Sequence, residues 1–453
     1  MPQDSTFDTV IRLLRNTEFT EVAREAIRDY LSPTELAGRQ APGGLTGREL
    51  WEILLAIRRF GATTFPIPVA TGEEFWYSIT VEGRHCLRTI ERHCRSDSRL
   101  HRMVQHRSGQ RFLVSSQVRE VIATCQTDGV EVDVEELEHM LHEGRAPRTP
   151  AGRLVKNTFE MLGELQSLVN EDFSPDLVRH LFERTTHGVS IGDIARTGGH
   201  LRGAPPVFQE FTRAHRPRGM WPDHGHDEDS RAEEVLRQIC DYANGKTGDP
   251  RESVAVRGYM LLAAMGYWRP LPDFNATVAR HMLSLLSVKQ DFPVLGYLPV
   301  SAMMRRWSLG EMAAGTVRYS RIESSPATAD GIDGTAEILV HLQLTVATID
   351  ELQARIQATK AEDEGLSSTL RKNLHLNYRQ RDILNRALKC PDAEFTLREH
   401  RLAHRTAYST ARADLLELAE MGLVLKRTRA QAFVFSPAPD LRSRLDRDLA
   451  EAE

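Results

Sequence analysis

The segment Gly266-Tyr-Trp-Arg-Pro-Leu-Pro-Asp-Phe-Asn-Ala-Thr-Val-Ala-Arg280 says more about this chain than any other. The mostly apolar run Arg251-Glu-Ser-Val-Ala-Val-Arg-Gly-Tyr-Met-Leu-Leu-Ala-Ala-Met-Gly-Tyr267 leads into it, and His281-Met-Leu-Ser-Leu-Leu286 leads out. Both flanks read as helices, so the proline-containing stretch between them is a turn joining two helices. Asp273 stands just ahead of the second helix, where a carboxylate caps free backbone N–H groups. Asn275 reads either as a turn-former or as a ligand contact.

These residues resemble the signature of the Fic family, His-Pro-Phe-x-Asp-Gly-Asn-Gly-Arg-x-x-Arg, whose usual members transfer AMP from ATP to a protein hydroxyl. Pro270, Asp273, Asn275 and Arg280 match it. Arg269 stands at the histidine position, Phe274 and Ala276 at the two glycine positions, and Thr277 at the first arginine position. Three more landmarks keep the family's order. Glu120-Val-Ile-Ala-Thr-Cys-Gln-Thr-Asp-Gly129 resembles the inhibitory helix, with core Ser/Thr-x-x-x-Glu-Gly/Asn; Thr124 and Gly129 fit, and Asp128 replaces the glutamate. Phe292-Pro-Val-Leu-Gly-Tyr-Leu-Pro-Val-Ser301 is similar to the "Gly-Tyr … Ser" run of larger members. Leu376-Asn-Tyr-Arg-Gln-Arg-Asp-Ile-Leu384 resembles the opening of the winged helix-turn-helix that many large members carry.

The departures bear on chemistry. In an intact site the histidine takes the target's proton as a general base; Arg269 stays protonated and cannot. The Gly-Asn-Gly turn offers bare N–H groups to phosphates at a helix N-terminus, and Phe274 and Ala276 put side chains into that nest. Thr277 removes a cation. The resemblance therefore implies a Fic-like protein that has lost ordinary AMP transfer, and two readings stay open. In one, a regulatory module holds a nucleotide or other anionic ligand weakly or not at all, through Tyr267, Asn275, Thr277 and Arg280. Magnesium on Asp273, arriving with a nucleotide, is the one cofactor this would bring. In the other, the cavity runs repurposed chemistry (divergent nucleotidyl transfer or a small-molecule reaction) with Arg269 and Asp273 as catalytic groups and His281 as base. The resemblance also implies that Asp128 reaches Arg280, either as a regulatory contact or as a pair holding two helices together.

Along the chain, apolar residues from Phe7 to Leu31 recur at helical spacing until Ser32-Pro33. Thr46-Gly-Arg-Glu49 reads as a capping box. Phe65-Pro-Ile-Pro and Phe75-Trp-Tyr-Ser-Ile-Thr-Val read as a short strand pair. Ser174-Pro175 starts a helix with proline at its first position. The glycine-rich stretch 187–203 stands where the family has a hairpin flap that clamps its target by strand addition. Ala336 to Ala358 carries the apolar stripe of a long helix. Trp221-Pro-Asp-His-Gly-His-Asp-Glu-Asp229 reads as a solvated loop, since its spacing matches no metal-ligand pattern. In the C-terminal part, Arg405, Ser409, Thr410 and Arg412 are placed for groove and phosphate contacts, with Lys426, Arg427 and Arg429 in a wing. Asp414, Glu417 and Glu420 dilute that face, so DNA and a protein partner both fit.

The expected architecture is mainly α: an N-terminal helical region (1–108), a Fic-like helical core with a small β-hairpin flap (109–320), a helical connector (321–370) and a winged helix-turn-helix (371–445). The net charge of −5 excludes the chain as a whole from binding nucleic acid by charge, so any basic face is local. Five scattered cysteines without a C-x-x-C pair point to reduced thiols. No membrane span or signal pattern is legible, so a cytoplasmic, bacterial protein is expected, and the family's habit makes it a homodimer.

Overall fold

Helices in this chain begin where short polar side chains take up free backbone N–H groups. In a computed structural model, which describes residues 13, 15–38, 41–67, 74–106, 109–195, 226–319, 332–370, 376–390, 392–429 and 432–450, Asn16 accepts from the Phe19 amide at the head of α1 (Thr17–Arg28). Ser32 with Glu35 and Thr46 with Glu49 form capping boxes that open α2 (Pro33–Ala37) and α3 (Gly47–Phe60). The first strand forms ahead of the expected Phe65 start: β1 (Thr63–Thr64) pairs antiparallel with β2 (Phe75–Tyr77), which falls in the second expected segment. A third strand, β3 (Ile332–Asp333), joins β2 in parallel from a stretch that reads as loop.

The chain is mainly helical. After β2 come α4 (Val81–Cys94), α5 (Arg99–Gln105), α6 (Gln110–Thr127), α7 (Val134–Glu143), α8 (Pro150–Glu164) and α9 (Pro175–Thr186). Ser174 caps α9 with Pro175 at its first position, as the sequence predicts. The 187–203 flap and the Trp221–Asp229 stretch lie partly outside the described residues. From 226 the backbone is already helical, in α10 (His226–Ala243). Next come α11 (Val254–Trp268), α12 (Asn275–Lys289), α13 (Pro293–Tyr297), α14 (Val300–Ser308) and the long α15 (Thr335–Leu370). Ile338, Leu342, Ile349, Leu352 and Ile356 of α15 are buried in the main core beside α11 and α12, so this helix belongs to the core's packing. A Cβ at Gly258 of α11 would lie 2.0 Å from Leu283 of α12, so a glycine is needed for the two helices to approach this closely.

The C-terminal residues build their own core, which contains no residue before Leu376. Its order is α16 (Tyr378–Lys389), β4 (Phe395–Thr396), α17 (Leu397–Ala403), α18 (Tyr408–Glu420), β5 (Val424–Arg429), β6 (Ala432–Pro437) and α19 (Leu441–Ala450). The sheet order is β4-β6-β5, with β5 and β6 an antiparallel hairpin. Gly422, at φ 72°, follows α18 in the left-handed conformation that ends helices. Cys86, Cys94, Cys125 and Cys240 are buried free thiols and Cys390 is exposed. Among the described residues no helix is long and apolar enough to cross a membrane.

Candidate functional site

The turn between α11 and α12 bends through two non-glycine residues in the left-handed region, Arg269 (φ 47°) and Phe274 (φ 51°). Phe274 thus takes a backbone angle that favours glycine while keeping a side chain. That ring is fully buried with Val114, Val118 and Val155, in a second core cluster that joins α6 and α8 to the turn. Asn275 is the turn-former: its side chain accepts from the Leu271 amide at 3.0 Å and donates to the Leu271 carbonyl at 2.9 Å. Asp273 accepts from the Phe274 amide, and Phe274 stands at the N-cap position of α12, which corrects the expectation that Asp273 is the N-cap.

The cap of α12 comes from far away in sequence. Asp128, at the C-terminus of α6, accepts from the Ala276 amide at 3.0 Å and from the Thr277 amide at 2.8 Å, and from the Thr277 hydroxyl at 2.6 Å. An internal carboxylate therefore occupies the N–H groups to which a phosphate would bind. Burial pushes the Asp128 carboxyl above its ordinary value, against the pull of the Thr277 and Ala276 hydrogen bonds and of the nearby Arg269 charge. Gly129 follows at φ 82°, which lets the chain leave α6 in a helix-ending turn.

Arg280 pairs with Glu120 instead of with Asp128. Its Nε lies 2.7 Å from Glu120 Oε1, with both side chains almost fully buried, and its Nη2 donates to the Leu298 carbonyl at 2.8 Å. The same carboxylate accepts from the Ser301 amide and hydroxyl, at 2.8 and 2.7 Å. Thr124, one turn beyond Glu120, donates to the Glu120 carbonyl and stands 3.4 Å from the Ser301 hydroxyl. The reading of the inhibitory helix missed Glu120, although Glu120, Thr124 and Asp128 recur at four-residue steps along one helix face.

His281, the expected base, is 1% exposed, and neither ring nitrogen has a hydrogen-bond partner among the described residues. Burial, with the Arg280 charge beside it, pushes its pKa down to about 3. It is a sealed neutral ring, a poor proton acceptor for an incoming substrate. Tyr267 is buried edge-on against Trp268. No group of three or more His, Cys, Asp or Glu among the described residues is arranged to hold a metal ion.

In the C-terminal unit the expected contact residues divide. Ser409, Arg412, Lys426, Arg427 and Arg429 are exposed and Thr410 is half-buried. Lys426 lies 3.9 Å over the Phe433 ring, which orders it on the hairpin. Arg405 is engaged elsewhere: it donates to Gln117 on α6 at 2.9 Å. Asp414 does not dilute the outer face. It is buried, accepts from Asn377 and Arg379, and lies 3.0 Å from His400 Nε2. Burial alone would raise the Asp414 carboxyl, but the bonds from Arg379, His400 and Asn377 together hold it well below the usual carboxylate range. Residues 376–445 hold thirteen Lys and Arg against eight Asp and Glu, a local positive excess within an acidic chain. Neither a family model nor a curated protein matches this sequence.

Proposed function

We propose that this chain is a non-catalytic, Fic-like regulatory module that contacts duplex DNA through a winged helix-turn-helix formed by residues 376–445. The observation that carries the reading is the self-filled nest. Asp128 takes the two amides that would hold a phosphate, and Glu120 neutralises Arg280, the remaining motif cation. A site whose anion-binding groups are already satisfied from within gains little by admitting ATP, and His281 is too deeply buried and too weakly basic to replace the lost general base.

The DNA reading is supported by the helix–strand–helix–helix–hairpin order and by where the charge lies. The first turn of α18 exposes Ser409 and Arg412, and β5 exposes Lys426, Arg427 and Arg429. This pattern suits a recognition helix in a major groove with a basic hairpin along the phosphates. Two measurements test it. ATP or ADP at millimolar concentration, with or without magnesium, is expected to leave the melting temperature unchanged. Fluorescence anisotropy with a generic duplex is expected to show binding that weakens as salt rises. Stabilisation by nucleotide that is lost in Arg280→Ala would overturn the non-catalytic reading. No duplex binding even at low salt would overturn the DNA reading and favour a protein partner for the same face.

A further inference from the structure

We infer that α6 couples the nest at the head of α12 to the C-terminal unit, so that the docked arrangement has low affinity for DNA and expulsion of Asp128 from the nest releases the DNA-binding face. The inference rests on the DNA reading above only for its affinity readout.

Helix α6 grips both regions at once. Towards its start, the Arg111 guanidinium pairs with the Asp382 carboxylate of α16, whose other oxygen lies 3.3 Å from His404 Nε2. Two turns further on, Gln117 accepts from Arg405, the residue at φ 43° in the turn that aims α18. Helix α17 also packs on α6 and α7. Towards its end, α6 presents Glu120 to Arg280 and Asp128 to the head of α12. Glu120 to Cys125 are buried without a break, so this half of the helix is enclosed on every face. From Arg111 to Asp128 the helix spans about 26 Å, at 1.5 Å per residue. Enclosed from Glu120 to Cys125 and held at both ends, it passes a displacement of one end to the other instead of absorbing it.

Two steric facts set the direction. An anion placed on the Ala276 and Thr277 amides must expel the Asp128 carboxylate, because like charges cannot share those donors. Asp128 caps α6, so its expulsion shifts or unwinds the last turn of that helix. At the other end, a major groove about 12 Å wide admits one helix. It does not admit α18 together with a core helix tied to Arg405, three residues ahead of α18. Freeing Arg405 from Gln117 therefore gives the already exposed start of α18 the clearance from α6 that a groove requires.

The test uses the full-length chain and the variants Gln117→Ala, Arg405→Ala and Asp128→Ala. Anisotropy with one generic duplex at fixed salt is combined with hydrogen exchange of the 276–280 and 397–414 amides. Each variant is expected to bind the duplex at least about five-fold more tightly. Gln117→Ala is expected to speed exchange at Ala276 and Thr277, and Asp128→Ala to speed it across 397–414. Arg405→Ala is diagnostic, because a residue that contacts phosphate would weaken binding when removed. Exchange changes confined to the neighbourhood of each substitution, with unaltered affinity, would overturn the coupling and leave the DNA reading standing. Distant exchange changes in proteins that bind no duplex would uphold the coupling and overturn the DNA reading.

Discussion

Glu120 and Arg280 form a buried ion pair whose value lies in completeness. Removing one partner strands a charge inside the core, at a cost of about 3–5 kcal/mol. Glu120→Ala is therefore expected to lower the unfolding free energy by that amount in urea titration, with Ser301 losing two hydrogen bonds as well. The double variant Glu120→Met/Arg280→Met should lose clearly less than the sum of the singles; additive losses would show that the pair is not coupled. His281 poses the opposite problem, a polar ring without partners. His281→Leu is expected to be neutral or stabilising near pH 7.5, by about 1 kcal/mol. Its titration carries a sign. The folded-state pKa values of His281, His341 and His404 are depressed from 6.5 to about 3, 4 and 4, so protonation favours the unfolded chain. Stability from these groups is full above about pH 6.5 and is lost as pH falls towards 3–4. The melting temperature should drop over that window, and less steeply in His281→Leu. An unchanged acid profile in that variant would show that His281 is not sealed as described.

The α11–α12 turn shows how buried packing holds a strained backbone in place. Phe274 holds a left-handed backbone angle that costs a non-glycine residue about 1–2 kcal/mol, and its buried ring offsets this by locking the turn to α6 and α8. Phe274→Gly relieves the strain, yet forfeits about 3–5 kcal/mol of buried aromatic packing. A net loss of about 1–4 kcal/mol is expected in chemical denaturation, with no gain of nucleotide binding, because Asp128 still caps α12. Gly258→Ala should cost about 1–3 kcal/mol by pushing α12 away from α11. A neutral result would mean that Leu283 swings aside freely.

On the scale of the molecule, charge is divided by region: the C-terminal unit is basic within a chain of net charge −5. Binding to duplex DNA should then depend on salt through a few neutralised phosphates. The double variant Lys426→Ala/Arg427→Ala is expected to weaken binding on all sequences alike, and to reduce the slope of log affinity against log salt by about 1.8, roughly 0.9 for each phosphate that is no longer neutralised. An unchanged slope would place the hairpin away from the phosphates.

Local chemistry was legible in the chain. The capping box at Thr46, the Ser174-Pro175 start and the apolar stripe from Ile338 to Ile356 all lie where side-chain type and spacing put them. Each depends on neighbours within two turns of the chain. Pairing across the fold was not legible. Asp128 and Glu120 stand on one helix about 12 Å apart, at 1.5 Å per residue, and either could have met Arg280. The packing of α6 against α12 brings Glu120 level with Arg280 and leaves Asp128 at the helix head, a turn earlier, where backbone N–H groups take the place of the arginine. Likewise, Asp414 and Arg405 both read as surface charges. The fold turns one into the knot of the C-terminal core and ties the other to Gln117, because which face a charged residue presents depends on what packs beside it.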